Sequence, residues 1–122
     1  MQYVLLIYSD EKVFATFSED ERNAAYAEYG VFTNELRASG GFVDGNPLQG
    51  TATATTVQVR NGEQVVTDGP FAETKEQLGG YYIVETDSLD EALQWAAKIP
   101  GARYGSIEVR PVLPMTVEAS AG

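Results

Sequence analysis

The chain has no histidine and no cysteine among its 122 residues. Without histidine it lacks the usual general base near neutral pH, and neither a Ser-His-Asp triad nor an ordinary zinc site can be assembled. Without cysteine it has no disulfide framework and no thiol nucleophile. Only oxygen ligands are left for a metal, and no carboxylate spacing resembles a known loop site. We therefore predict that the protein needs no metal and no cofactor.

Positive charge is scarce, because 8 Lys and Arg residues face 18 Asp and Glu residues and the net charge is −10. Binding to nucleic acid requires clustered basic side chains that neutralise phosphates, and the sequence has no such cluster. An anionic membrane surface is disfavoured for the same reason. The longest apolar run, residues 4–7, is far too short to span a bilayer, and no signal-peptide pattern is present. We expect a cytoplasmic protein that contacts neither nucleic acid nor membrane.

Apolar periodicity and turn residues predict the element order β-α-β-β-β-β-α-β. The helices begin at two capping boxes, residues 18–21 and 88–91, and Asn61-Gly62 predicts a tight hairpin. Residues 10–12 are expected in a loop. The expected strands cover residues 3–8, 42–48, 53–60, 63–67, 80–86 and 106–112. A chain of this length forms one domain, which we place at residues 1–113, followed by a flexible tail at residues 114–122.

Helical spacing predicts one buried stripe on each helix. On the first helix the stripe consists of Ala25, Tyr29, Phe32 and Leu36. On the second helix it consists of Leu89, Ala92, Leu93 and Ala96. Both stripes are expected to pack on the same face of the sheet.

The predicted fold is α+β. Without the Asn61-Gly62 hairpin, the order reduces to the ferredoxin-like pattern β-α-β-β-α-β, an antiparallel sheet with two helices on one face. The first strand is apolar on both faces, with Tyr3, Leu5 and Ile7 on one side and residues 4, 6 and 8 on the other. Two helices cover only one face, so we predict a homodimer in which the two sheets face each other.

The segment of residues 68–80 combines a turn, three carboxylates, one ammonium group and two glycines. Its charged side chains either line a binding cleft or form a solvated connection between strands. Asp68 is better explained as a turn former than as a reagent. If the segment is helical, Glu73 and Glu76 share a face, and one of their pKa values could be raised by the other carboxylate. Lys75 would then point elsewhere.

The last predicted strand alternates apolar and charged side chains. Ile107 and Val109 should face the helices, and Glu108 and Arg110 should face the interior between the two sheets. Arg110 suits a ligand carboxylate or phosphate, although a Glu-Arg pair across the dimer interface is the favoured role. Candidates for binding a small ligand are Tyr8, Asp10, Asp68, Glu73, Lys75, Glu76, Tyr82, Glu108 and Arg110, to which the family resemblance given below adds Tyr29.

Several separated motifs occur in one order along almost the whole chain. The turn Asp-Gly-Pro-Phe at residues 68–71 is followed by Glu73, Lys75-Glu76 and the run Gly-Gly-Tyr-Tyr at 79–82. The remaining motifs are the opening strand 3–8, the helix start 88–92 with Trp95, then Pro100, and residues 108–111. Over about residues 1–113 the sequence resembles the YCII-related family, in its DGPF-motif branch.

The resemblance implies a ferredoxin-like protomer and a dimeric α+β barrel. Relatives place a His with an acidic partner in a cleft of that barrel, and one related group is a lyase that removes chloride from a hydroxylated aromatic-type substrate. This sequence has no His, and the corresponding helix position falls near Tyr29. Because tyrosine is a poor base near pH 7, the His-dependent chemistry is not carried over. The branch is often encoded beside extracytoplasmic-function sigma factors, which implies a regulatory or stress context.

These observations favour a dimeric small-molecule-binding protein over an enzyme. One alternative is a regulatory protein without catalytic activity that binds an extracytoplasmic-function sigma factor. A second alternative is a lyase-type enzyme that uses Tyr, Glu and Arg in place of His.

Overall fold

A computed structural model describes residues 1–115 as six strands, three helices and two short 3-10 turns. The strands are β1 (Gln2–Ser9), β2 (Phe42–Pro47), β3 (Thr55–Arg60), β4 (Glu63–Asp68), β5 (Gln77–Glu85) and β6 (Ser106–Pro111). The helices are α1 (Glu11–Phe14), α2 (Glu19–Ala38) and α3 (Leu89–Lys98), and the 3-10 turns are Thr51–Thr53 and Pro100–Arg103. Most of the predicted tail, residues 116–122, lies outside the described residues.

Four strands form an antiparallel sheet in the order β2-β5-β1-β6, and β3 and β4 form a separate two-stranded sheet. Without β3 and β4, this order is that of a ferredoxin-like domain, so the predicted α+β fold with an inserted hairpin is confirmed. The hairpin turns at Asn61 and Gly62, whose φ angles are 53° and 76°. Both residues are in the left-handed region that a two-residue hairpin turn requires.

The two long helices start where the capping residues predict. The Ser18 hydroxyl accepts a hydrogen bond from the Glu21 backbone N–H at 3.1 Å, and the Glu21 carboxylate accepts one from the Ser18 N–H at 2.9 Å. The second capping box is only half formed. Ser88 accepts a bond from the Glu91 N–H, but the Glu91 carboxylate accepts its bond from Asp87 instead of Ser88.

The core lies between the sheet and the faces of α2 and α3. Tyr3, Leu5 and Ile7 of β1 are buried there, together with Leu36 of α2. Leu5 and Leu36 are fully buried, and such burial stabilises the fold by about 2 kcal/mol for each leucine. Ile107 and Val109 also pack against this core, so the predicted division of the last strand into an apolar and a charged face is confirmed.

Two local predictions are wrong. Residues 10–12 are not a loop, because Asp10 caps the short helix α1 by accepting a hydrogen bond from the Lys12 N–H at 2.9 Å. A helix of four residues is too short to produce a periodic signal. Leu89 and Leu93 remain 47% and 46% exposed, because the core is contacted by another face of α3, where Ala92 and Ala96 are buried and Trp95 is partly buried.

Within residues 1–115, no helix covers the opposite face of the sheet. Its residues Val4, Leu6 and Tyr8 are only half-buried in the single chain. The homodimer that would cover this face therefore stays a prediction. Within residues 1–115, no helix has both the length and the apolar composition needed to cross a membrane.

Candidate functional site

A cavity of about 1260 Å³ lies between α2 and the helix-facing side of the sheet. Its floor is formed by β1, β2 and β5, and its wall is formed by one face of α2. Residues 48–53, which connect β2 to β3, close it together with α1; these residues are called the covering segment below. The lining combines apolar and aromatic surface with a few polar groups, which is typical of small-molecule sites.

A second depression, of about 540 Å³, lies between α2 and the end of α3. Its rim is lined by exposed charged residues that pair with one another, Glu35 with Lys98 and Glu28 with Arg103. Because its charges already have partners and it is shallow, the larger cavity is the better candidate site.

The α2 wall of the cavity carries a regular ladder of polar side chains. Tyr29, Thr33 and Arg37 recur every four residues, so they lie on one face of the helix. Each of them contacts a different part of the opposite side of the cavity. Between them, Gly30 contributes no side chain, and no atom lies within 4 Å of the position that a Cβ there would occupy.

Tyr29 is fixed at one end of the cavity by the turn that follows α3. Its phenol oxygen accepts a hydrogen bond from the Gly101 backbone N–H at 3.1 Å. Position 101 must lack a side chain, because a Cβ there would lie 2.7 Å from that oxygen. Burial raises the pKa of Tyr29 to about 12, and the bond from Gly101 offsets only part of this effect. The phenol therefore keeps its proton at neutral pH.

Within the described residues, the Tyr29 phenol oxygen accepts the hydrogen bond from Gly101 and donates none. Its proton therefore has no acceptor there. Tyr29 is consequently a hydrogen-bond donor that faces the cavity. This is the reverse of the role that a general base would need.

Thr33 and Tyr82 form the middle of the ladder. The Thr33 hydroxyl donates to the Tyr29 carbonyl at 2.9 Å and lies 2.8 Å from the Tyr82 hydroxyl. Because Thr33 has a single hydroxyl proton, Tyr82 is the donor in the second bond. The lone pairs of the Tyr82 oxygen remain available to a ligand donor. Its ring is buried against Phe32 and Phe42, which holds the phenol in place.

Arg37 lies at the other end of the ladder. Its guanidinium carbon is 4.2 Å from the centre of the Phe42 ring, a cation–π contact. Among residues 1–115, no carboxylate lies within 4.0 Å of its guanidinium nitrogens. As a basic residue in the last turn of α2, it also interacts favourably with the helix dipole.

Glu11 fastens the covering segment over the cavity. One of its carboxylate oxygens accepts a hydrogen bond from the Thr51 N–H, and the other accepts one from the Thr51 hydroxyl, both at 2.8 Å. The Glu11 N–H in turn donates to the Gln77 side chain at 2.9 Å. The first residue of α1 therefore joins the covering segment to the start of β5.

The structure brings two of the ten predicted ligand-binding residues together. Tyr29 and Tyr82 both line the cavity. Tyr8, Glu108 and Arg110 lie on the opposite, open face of the sheet, where the Arg110 and Glu108 side chains are 4.0 Å apart. A role for these three residues in binding across a dimer interface stays a prediction.

The other five predicted residues lie outside the cavity lining. Asp10 caps α1. Asp68 ends β4 and makes no side-chain hydrogen bond within the described residues, so a capping role is not seen there. Residues 69–76 contain no helix, and Glu73 and Lys75 are exposed. The Glu76 carboxylate accepts a hydrogen bond from the Ser106 hydroxyl at 3.0 Å.

The polar residues Glu11, Thr33 and Arg37, whose contacts are described above, were not among the predicted candidates. The four-residue spacing of Tyr29, Thr33 and Arg37 was the available signal, because it puts polar groups beside the buried stripe of α2. Within residues 1–115, no three acidic side chains converge to hold a metal ion.

A sequence model of the YCII-related domain matches residues 1–116. The chain belongs to the YCII-related family. An uncharacterized protein of Rhizobium meliloti (strain 1021) is 39% identical to it over 114 residues, which cover 92% of each protein. The family membership predicted from the sequence motifs is thereby confirmed.

A solved structure with a similar fold is that of 5-chloro-2-hydroxyhydroquinone dehydrochlorinase from Burkholderia phenoliruptrix AC1100, in complex with 2,5-dihydroxybenzoquinone. The TM-score is 0.51, the sequence identity is 17%, and the match covers 93% of this chain and 94% of that chain. At this identity the likeness shows the shared fold alone.

Proposed function

We propose that this YCII-related protein binds a small, largely flat organic molecule in the cavity between α2 and the sheet. Aromatic rings line the site, among them Phe42, Tyr82 and Tyr26, and they suit a ring-shaped ligand. The dehydrochlorinase of similar fold has a hydroxylated ring compound as its named substrate. That likeness supports a ligand of the same general shape for this cavity.

The observation that carries the proposal is the unused proton of Tyr29. A half-buried phenol that accepts one hydrogen bond and has no partner for its own proton within residues 1–115 is a donor prepared for a ligand oxygen. Tyr82, which is hydrogen-bonded to Thr33 in the same cavity, offers acceptor lone pairs. A hydroxyl group on the ring would accept from Tyr29 and donate to Tyr82, whereas a carbonyl group would only accept from Tyr29.

Binding is favoured over elimination chemistry for this chain. A base would have to lose its proton near neutral pH, and burial raises the pKa of Tyr29 to about 12. A lyase that uses Tyr, Glu and Arg remains the alternative, since Tyr29, Glu11 and Arg37 line the cavity. In that case, a chlorinated hydroquinone would release chloride in the presence of the protein, at a rate that Tyr29→Phe reduces.

The test is an NMR titration of the protein with hydroquinone and with para-xylene, which has the same shape but no oxygen. We expect hydroquinone to shift amide signals around the cavity, and Tyr29→Phe to weaken it roughly threefold to tenfold, since it removes one hydrogen bond. Binding of para-xylene should be unchanged. Tyr8→Phe is the matched control, because Tyr8 lies on the other face of the sheet. Equal hydroquinone affinity in wild type and Tyr29→Phe would refute the proposal.

We further propose the finer assignments that the sequence motifs predict. These are membership in the DGPF-motif branch, a homodimer formed through the open sheet face, and a sigma factor as a regulatory partner. The motif at residues 68–71 supports the branch, and the half-buried apolar residues Val4 and Leu6 support the dimer. Co-purification from native expression tests the partner, and its repeated absence would count against it.

A further inference from the structure

Only two charged side chains line the cavity within the described part of the chain, Glu11 and Arg37. They differ in whether their charged groups already have hydrogen-bond or ion-pair partners in the protein. Both carboxylate oxygens of Glu11 accept hydrogen bonds from Thr51. The Arg37 guanidinium contacts the ring of Phe42. Within residues 1–115 it donates no hydrogen bond, and no carboxylate lies within 4.0 Å of it.

An unpaired guanidinium beside the cavity would select for anionic ligands in this protein. The net charge is −10, so most of the surface repels anions. At its end of the cavity lining, Arg37 supplies a positive charge. The fork of guanidinium N–H donors matches the two oxygens of a carboxylate.

We propose that the ligand is an oxygenated aromatic carboxylate, with its carboxylate at Arg37 and its ring oxygen at Tyr29. This inference rests on the proposed function of the same cavity. To the proposed function it adds two properties of the ligand: its negative charge and its orientation along α2.

The helix geometry sets the length of such a ligand. Tyr29 and Arg37 are eight residues apart, which corresponds to about 12 Å along the helix axis. Both side chains are long and extend over the cavity, so we infer that one ring with polar groups at opposite ends spans the gap between them. Thr33 lies midway and holds Tyr82, whose ring would lie beside the ligand ring.

Two other roles for Arg37 must be separated from this one. A basic residue in the last turn stabilises the helix dipole, and the cation–π contact with Phe42 contributes packing. Both roles affect folding stability, and neither distinguishes a charged ligand from a neutral ligand of the same shape. Discrimination between two such ligands is therefore the decisive measurement.

The experiment compares para-hydroxybenzoate with para-hydroxybenzamide, which is neutral and has the same shape. Affinities are measured by calorimetry for wild type, Arg37→Gln, Arg37→Lys and Arg60→Gln. Arg60→Gln is the matched control, because it removes the same charge from the hairpin, outside the cavity lining, where the Arg60 guanidinium donates a hydrogen bond to the Val59 carbonyl. Thermal melts of each variant report on folding separately.

We expect wild type to bind the carboxylate roughly tenfold more tightly than the amide, with an advantage that shrinks as salt is added. Arg37→Gln should lose this advantage and leave the amide affinity within about twofold. Arg37→Lys should keep part of it, since the charge remains but the planar fork is lost. Arg60→Gln should behave as wild type.

The outcomes separate the inference from the proposed function. If wild type binds both compounds equally, or if Arg37→Gln keeps the preference for the carboxylate, the anionic ligand is refuted while ring binding stands. If neither compound nor hydroquinone binds, the proposed function fails and the inference fails with it. Equal loss of both ligands in Arg37→Gln with a lowered melting temperature also refutes the inference, because it indicates a purely structural role.

Discussion

The backbone N–H of Gly101 donates a hydrogen bond to the phenol oxygen of Tyr29, 72 positions earlier in the chain, at 3.1 Å. This bond joins the turn after α3 to the middle of α2. It also leaves the phenol proton directed at the cavity. A single hydrogen bond thus both holds α2 against the turn after α3 and leaves Tyr29 as a hydrogen-bond donor in the site.

Substituting alanine at two glycines should change stability in opposite directions. In Gly101→Ala the new Cβ would lie 2.7 Å from the Tyr29 oxygen and 3.2 Å from Ile7, so we expect a loss of about 1–3 kcal/mol in the free energy of unfolding. In Gly30→Ala nothing lies within 4 Å of the Cβ, and alanine favours helix, so we expect a gain of about 0.5–1 kcal/mol. Urea unfolding measures both, and a destabilised Gly30→Ala would contradict this account of the cavity wall.

Tyr29 should give the protein an alkaline limit to its stability. Its pKa is about 12 in the folded chain, above the ordinary value of 10. Below about pH 10 the phenol is neutral in both states and its contribution is fully present. As the pH rises toward 12 the unfolded chain releases the proton first, so stability is lost across that window. Urea midpoints in Tyr29→Phe should fall less steeply over the same range; an identical slope would show that another group is responsible.

Glu11→Gln should loosen the covering segment without unfolding the protein. An amide has a single oxygen acceptor and no charge, so it cannot replace both bonds to Thr51. We expect the Thr51 amide proton to exchange about tenfold faster with solvent. Hydrogen exchange followed by NMR is the measurement. Glu63→Gln on the hairpin serves as the charge-matched control, and faster exchange in both variants would argue against the specific clamp.

The predicted homodimer can be tested on the open face of the sheet. Leu6→Glu places a charge on that face, at a position that is half-buried in the single chain. If two sheets pack face to face, this charge would be buried without a partner, and the variant should sediment as a monomer. Val57→Glu is the control, because Val57 is exposed on the hairpin. Wild type that sediments as a monomer at the same concentration would rule the dimer out.

The sequence was sufficient for the framework of the fold because local signals there agree with the final packing. The Ser18 box, the Asn61-Gly62 turn and the alternation along β1 all specify structure within a few residues. Leu89 and Leu93 mark the limit of this reasoning. Their spacing fits a buried stripe, but how closely α3 approaches the sheet is a tertiary property that favours the smaller alanines.

The site was harder to predict because its parts are distant in sequence. Its lining comes from α1, α2, three strands and the covering segment, and some of it is bare backbone. Charge density drew attention to residues 68–76, which lie outside the cavity lining. Tyr29 was identified through family resemblance, and Tyr82 belongs to the Gly-Gly-Tyr-Tyr run at residues 79–82. Glu11 and Arg37 are the charged residues of the cavity lining within residues 1–115, and neither belongs to a recognisable sequence motif.

Position 30 offers a way to block the cavity while sparing the core. A phenylalanine there would project into open space between Tyr29 and Arg37. We expect Gly30→Phe to abolish binding of ring compounds and to keep a melting temperature near that of wild type. Gly30→Ala should retain binding. A Gly30→Phe variant that still binds these compounds would show that they occupy another site.

The bare helix position has a consequence for how such a protein can change over time. A residue that meets no other atom can grow or shrink without disturbing the packing that holds the fold together. Under the proposed function, the size of the ligand then depends on this one position, and the packing of the core depends on others. Chains of this family that differ at position 30 would be expected to accept ligands of different bulk on the same framework.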